Sequence, residues 1–317
     1  MAAQKKPRVE NNIVLKPQDA SVFIDPRTDF GFKRLFGEKD LMTDFLNSVL
    51  GISIVDLEYR NTVRTGVSKD EKATIFDLYC STGTGEKFIV EMQNLPHEHF
   101  IDRIVHYAAR LIQQQGKRGK GWDYQLPPIY SVNIVDFKLD KKIITDKYLS
   151  YIQLLDRDTK KVFYDKLSLV FLELPRFNKP EEKLETNVDY WMYALKNMPN
   201  LNELPDILDA EVFKKMFDLA KIAKMTAEQQ NDYYKSLHDM NIMKIQFGKM
   251  ESTITEQGKT ITVLTQEIAE RDAKLAERDA KIAERDAKIA EYERRLGLSG
   301  TTVTKPTRSS KVRTHNV

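Results

Sequence analysis

The sequence holds one cysteine, Cys80, in 317 residues. A lone thiol closes no intrachain disulfide and supplies no cysteine pair for zinc or dithiol chemistry. Beside Tyr79 in an apolar segment it suits a small buried side chain. Long hydrophobic runs are missing too, since no stretch approaches the ~18 consecutive apolar residues of a membrane span. The opening MAAQKKPRVE is polar where a secretory signal would be apolar. These absences point to a cytoplasmic protein with no membrane partner. An excess of one charge is also missing: the formal net charge is +3, so any site for a polyanion has to be local.

What is present fits one large domain or two ordinary ones. With 41% hydrophobic and 31% charged residues, part of the chain reads as a solvated segment rather than core. Two strand-like segments organise the rest, Thr74 to Ser81 (TIFDLYCS) and Lys87 to Asn94 (KFIVEMQN), joined by TGTGE with Gly83 and Gly85 as a hairpin signal. Each places one acid in an apolar run: Asp77 between Phe76 and Leu78, Glu91 between Val90 and Met92. A carboxylate among apolar side chains loses roughly several kcal/mol of hydration unless it is neutralised, hydrogen-bonded or bound to a cation. Two of them on adjoining strands suggest a divalent metal site. Alternation puts Lys87, Ile89, Glu91 and Gln93 on one face and Phe88, Val90 and Met92 on the other, core-facing side. The fourteen-residue separation of Asp77 and Glu91 suits a hairpin that delivers both acids to one end. From spacing alone, a pair of acids satisfied by Lys or Arg on the sheet surface fits equally well.

Residues 1–20 read as a flexible leader. Phe32, Leu35, Phe36, Leu41, Phe45, Leu46, Val49 and Leu50 then recur at three- and four-residue steps, predicting a helix broken near Gly37 and capped by Gly51. Ile52 to Arg60 alternates as a first strand. His97 to Gln115 carries an amphipathic stripe of Phe100, Ile104, Tyr107 or Ala108, and Leu111, and ends in the basic loop GKRGKG. Ile129 to Phe137 and Val162 to Leu174 read as further strands. The order predicts an α/β sandwich with a mixed sheet over residues 21–180. Helical patterns at 184–196, 211–224 and 227–240 form a cap over 181–250.

The last part changes character. ERDAKLA, ERDAKIA and ERDAKIA begin at Glu270, Glu277 and Glu284, a sevenfold period. Ile254, Ile261, Ile268, Leu275, Ile282, Ile289 and Leu296 hold one heptad phase, which predicts a coiled coil over 251–297 and with it a homo-oligomer. Arg271, Arg278 and Arg285 occupy the other seam position, and pairs such as Glu270 with Lys274 and Glu277 with Lys281 suit a lone helix as well. A basic tail, 298–317, follows.

FIDPRTDFGFKRLFG, IFDLYC, GEKFIVEMQ, FIDRIVHYAARLIQQQ and PIYSVNIVDF occur in that order between Phe23 and Phe177. Together they resemble the recombination-promoting nuclease (Rpn) family, also described as PD-(D/E)XK nuclease family transposases. The resemblance implies a restriction-endonuclease-like core that cuts DNA with a divalent metal, Mg²⁺ or Mn²⁺. On that pattern Asp77 and Glu91 are the metal ligands, Asp29 a third, and Gln93 stands where the superfamily usually has lysine. An amide hydrogen-bonds but carries no charge toward the phosphate. Lys87, on the Glu91 face, or Lys33 from the first helix are the candidates to replace it. For Asp29 a role in capping the helix near Phe30 competes. Arg103 and Tyr107 match the family's helix after the site and imply phosphate contacts, though Tyr107 also suits packing.

The implied chemistry is in-line hydrolysis of a phosphodiester by water, with no covalent intermediate. His97, His99 and His106 lack the further ligand that zinc would need. Lys117, Arg118 and Lys120 of the basic loop, with the tail, suit the DNA backbone, which predicts strong salt dependence and little base specificity. A nuclease fold with weakened chemistry that binds DNA and oligomerises through its helix is the competing reading, and Gln93 is the residue that favours it.

Overall fold

The computed structural model describes residues 21–64, 74–116, 123–140, 144 and 146–297. Lys117, Arg118 and Lys120, the leader and the basic tail lie outside the described residues. The chain divides into two compact units between Phe247 and Gly248.

The first unit opens with α1 (Asp29–Phe36) and α2 (Lys39–Leu50). The helix breaks where expected, at Gly37, and α2 ends on Gly51 with φ +65°, a left-handed cap that costs glycine no Cβ clash. Thr28 is the N-cap of α1 and accepts from the Gly31 amide at 3.0 Å, so capping falls to Thr28 and leaves Asp29 in the first turn. Gly31 is obligatory, because a Cβ there would sit 2.2 Å from the Asp25 carbonyl oxygen.

Six strands form a mixed sheet in the order β1 (Glu58–Tyr59), β4 (Leu78–Ser81), β5 (Lys87–Gln93), β6 (Ile129–Val135), β8 (Val162–Glu173) and β7 (Leu149–Leu155). The β5–β6 and β6–β8 pairs are parallel and the others antiparallel. β2 (Val63–Arg64) and β3 (Thr74–Ile75) make a separate antiparallel pair. One face of the large sheet, with Phe88, Val90, Val132 and Ile134, packs on α1, α2, α4 (Asn187–Asn197) and α5 (Glu211–Ala220) in the main core. Trp191 anchors that core between Phe36 and Phe45, and its indole N–H donates to Asp44 at 2.8 Å. The other face, with Tyr79, Ile89 and Ile129, is covered by Leu111 and Tyr107 of α3 (Phe100–Gln115). Both faces of the sheet are therefore covered by helices, and Glu91 belongs to the face under α3.

Three expectations need correction. The strand expected over Ile52–Arg60 shrinks to Glu58–Tyr59. Upstream, the Ile54 amide donates to the Asn47 side chain at 2.6 Å and the Asn47 amide donates to the Ile54 carbonyl at 3.2 Å, so a side chain takes the groups a neighbouring strand would have used. The segment Thr74–Ser81 is split at Phe76 and Asp77. The Phe76 amide donates to the Thr62 carbonyl at 3.1 Å and the Asp77 amide to Glu91, so the ladder stops at the residue that carries the acid. β7 was not expected from the sequence; its burial pattern is mostly exposed, so hydrophobic alternation gives little signal there. The last helix, α6 (Ala227–Arg295), continues without interruption from the region expected as a cap into the repeats.

Candidate active site

Asp77 and Glu91 are brought together by register. β4 and β5 pair Leu78 with Val90 and Tyr79 with Ile89, and one more step in the same register sets Asp77 opposite Glu91. Opposite residues of an antiparallel pair share a face, so both acids lie on the side of α3. Each is then held by the other strand's backbone. The Asp77 amide donates to Glu91 Oε1 at 3.1 Å, and the Met92 amide donates to Asp77 Oδ2 at 3.0 Å. Neither carboxyl forms an ion pair with a Lys, Arg or His among the described residues. The surface ion-pair alternative is thereby excluded for these residues.

The electrostatics follow from that arrangement. Glu91 is 8% exposed, and burial, followed by the like charge of Asp77, pushes its carboxyl up to about 8. The Asp77 amide and the charge of Arg103 oppose this without cancelling it. Burial also raises Asp77, against the Met92 amide and the charge of Lys33; Asp29 adds to the rise and Arg103 opposes it. Two adjacent acids, of which Glu91 is held mostly protonated at neutral pH by burial and by the charge of its neighbour, form a set of hard oxygen donors with no cation paired to them among the described residues. Such a pair suits a divalent cation.

Beyond the pair, Gln93 shares the Glu91 face and joins α3. Its Oε1 accepts from Arg103 Nη2, and its Nε2 donates to the Leu95 carbonyl at 3.1 Å. The Arg103 guanidinium carbon lies 5.6 Å from the Phe100 ring centre and 5.9 Å from that of Tyr107. Tyr107 is half-buried, packs edge-on against Phe76 at 5.3 Å, and its phenol is raised by burial and by the charge of Glu91. It combines packing with a place beside the acids.

The remaining candidates are placed apart from the pair. Asp29 pairs with Lys33 at 2.7 Å, and among the described residues no three His, Cys, Asp or Glu side chains form a metal-holding group. Lys33 is half exposed, and with Asp29 it lines an open cleft of about 900 Å³ between α1, Asn94 and the first turns of α6. Lys87 shares the Glu91 face but stands four residues away along β5, roughly 13 Å at a strand's rise. The structure therefore places it at the far end of the strand, opposite Ser81. His97, His99 and His106 are exposed, and the His97 ring accepts from the His99 amide at 3.2 Å.

Some neighbours of the site were missed in the sequence. Asn133 is fully buried on β6 directly across from Glu91, which needs the parallel register to be seen. Asn94 donates to the Arg27 carbonyl at 2.8 Å and keeps a buried Oδ1 without a partner among the described residues. Arg27 pairs with Asp25 at 2.8 Å and with Asp136 at 3.4 Å, and Lys244 of α6 reaches Asp136 at 2.6 Å. Tyr233 of α6 accepts from the Asp25 amide at 3.0 Å. The motif FIDPRTDFGF is thus a brace between the sheet end and α6.

An α/β sheet with two acids converging at the break of an antiparallel strand pair, under a helix bearing an arginine, defines a nuclease-type core. A family model described as PD-(D/E)XK nuclease family transposase matches residues 26–246, more than half of the chain, and the protein belongs to that family. The match takes in α4, α5 and the start of α6, well beyond the segment carrying the sequence motifs. No curated protein and no solved structure matches the chain. Among the described residues no helix is long and apolar enough to cross a membrane.

Proposed function

We propose that this protein is a divalent-metal-dependent DNA endonuclease that hydrolyses phosphodiester bonds, acting in recombination or on mobile elements. One observation carries the reading: two half-buried to buried acids meet on one face with no counter-cation among the described residues. Asp77 and Glu91 would hold Mg²⁺ or Mn²⁺, which supplies positive charge at the phosphate and makes water a better nucleophile there. The protein's own residues do the positioning. The reciprocal amide bonds fix both carboxyls before substrate arrives, so little reorganisation remains for the reaction. Asp77 is the more accessible of the two, Glu91 the deeper, so substrate approaches from the Asp77 side. Lys33 stands near enough to Asp77 to favour its charged form and to meet the DNA backbone.

Plasmid nicking by the purified protein with Mg²⁺ or Mn²⁺ tests this. Asp77→Ala is expected to lower the rate on the order of a thousandfold or more. Equal cutting by both proteins would remove the assignment. The second reading, a nuclease fold that binds DNA with weakened chemistry, draws on the uncharged Gln93; retained DNA binding with no cutting under any divalent metal would select it.

We propose as well that two copies of the chain pair through α6. Ile254, Ile261, Ile268, Leu275, Ile282, Ile289 and Leu296 are 54 to 71% exposed, an aliphatic column that no described residue covers. With these at the first seam position, a parallel pair in register sets Lys274, Lys281 and Lys288 against Asp279, Asp286 and Glu293 of the second copy. An antiparallel pair would set lysine against lysine and acid against acid. Arg271, Arg278 and Arg285 on the seam keep the association weak. Sedimentation should give a dimer that becomes a monomer when residues 251–317 are deleted. Mild oxidation of Ile261→Cys should give a covalent dimer, since the native Cys80 is buried. A full chain that stays monomeric at about 50 μM, roughly fifty times a micromolar Kd, would contradict this.

A further inference from the structure

Of the three candidate cations for this site, Lys33, Lys87 and Arg103, only one stands at the acid pair's own end of the sheet face under α3. Lys33 is engaged by Asp29, and Lys87 stands at the other end of β5. Arg103 is the one that touches the site's own residues. It sits in the first turn of α3, one nitrogen donating to Gln93 and the guanidinium held near the rings of Phe100 and Tyr107. Its Nε is buried and has no acceptor among the described residues. A buried N–H of a guanidinium without an acceptor is costly, and native folds tend to keep such a group where a ligand will supply the missing partner. Arginine offers several donors in a fixed plane, a shape that fits two oxygens of a phosphate.

We infer that Arg103 is the catalytic cation of this site: it binds a non-bridging oxygen of the scissile phosphodiester and stabilises the charge that builds there during cleavage. Gln93 is its positioning residue. This rests on the nuclease reading above and deepens it by naming the group that carries positive charge where Gln93 carries none. In the step itself the oxygen of water forms a bond to phosphorus and gives up a proton to solvent, the bond from phosphorus to the 3′ oxygen breaks, and the 3′ oxygen leaves with the electron pair and takes a proton from solvent. Water is the only co-reactant. Arg103 neither gains nor loses a proton, since guanidinium stays charged throughout. The ring contacts matter because they hold the plane of the donors before the substrate binds.

The test compares wild type, Arg103→Met, Arg103→Lys and Asp77→Ala in single-turnover plasmid cleavage with Mg²⁺ at saturating DNA. Mn²⁺ binding is measured on each by calorimetry. Met keeps an unbranched stem against Phe100 and Tyr107 without the charge, so Arg103→Met is expected to bind Mn²⁺ like wild type and to cut about a hundredfold more slowly. Arg103→Lys should recover about tenfold of that loss, which a packing role would not predict. If Arg103→Met cuts at the wild-type rate at saturating DNA and only needs more DNA to reach it, Arg103 is a binding contact and the inference fails. Should Arg103→Met not fold, Gln93→Ala gives the second route: it frees Arg103 from its amide and should slow cutting about tenfold, and unchanged cutting would overturn the inference. Failure of the nuclease reading looks different, because then Asp77→Ala cuts as well as wild type or wild type does not cut at all.

Discussion

Two buried acids in the first unit, Asp189 and Glu91, solve the same problem in opposite ways. Asp189 opens α4 as the third residue of a capping box with Thr186 and is fully buried. Burial alone would raise its carboxyl, but Lys179 at 2.9 Å, the Tyr148 hydroxyl at 2.7 Å and the amides of Glu185 and Thr186 overrule it and hold it down at about 2. Glu91 is nearly as buried, receives one backbone amide, faces another acid and is pushed up to about 8. An acid that serves the fold has all its donors supplied by the chain. The acid pair is left short of positive charge, and that shortage marks a place for a ligand.

The comparison can be broken in several ways. The largest stability effect belongs to Asp189: its replacement by Ala strands the half-buried Tyr148 hydroxyl, two amides and a lysine, so a loss of about 3 kcal/mol is expected in denaturant melts, with the acid pair untouched. A loss below about 1 kcal/mol would mean that the network is not structural. The carboxyl at about 2 gives stability that is present above the ordinary 3.8 and is lost as pH falls toward 2, and Asp189→Asn should flatten that acid limb.

Glu91 has the opposite sign. Between its ordinary 4.5 and about 8 the folded protein keeps a proton that the unfolded chain has shed, so the metal-free protein loses stability as pH rises through that window. Glu91→Gln should therefore melt roughly 2 to 4 °C above wild type at pH 8 without metal and close to it at pH 5. Identical melting curves at pH 8 would place Glu91 in an ordinary solvated setting.

How much of this was legible in the sequence depends on what each feature rests on. The α1–α2 break, the Gly51 cap, the two acids and the long repeat helix are local, written in spacing and in glycine, and they are seen without a partner strand. The split at Asp77 was not visible, because it arises when the Glu91 carboxyl takes an amide from the ladder, a contact fourteen residues away. Lys87 and Gln93 share a face with Glu91, and only the register shows that Lys87 lies at the wrong end while Gln93 meets α3. Asn133 and Lys244 reach the site's surroundings through parallel pairing and a helix far along the chain. For the basic loop at Lys117, Arg118 and Lys120 the sequence expectation stands as a proposal, since it lies outside the described residues.

The central claim is that Asp77 and Glu91 together form a cation site, and Mn²⁺ calorimetry at pH 7 in buffers of different ionisation enthalpy tests it most directly. A carboxyl poised at about 8 must shed its proton to bind metal, so wild type should show one saturable event that releases most of one proton, and Glu91→Gln should lose the proton release while Asp77→Asn loses the event. Binding that is unchanged in both variants, or that releases no proton in wild type, would contradict it.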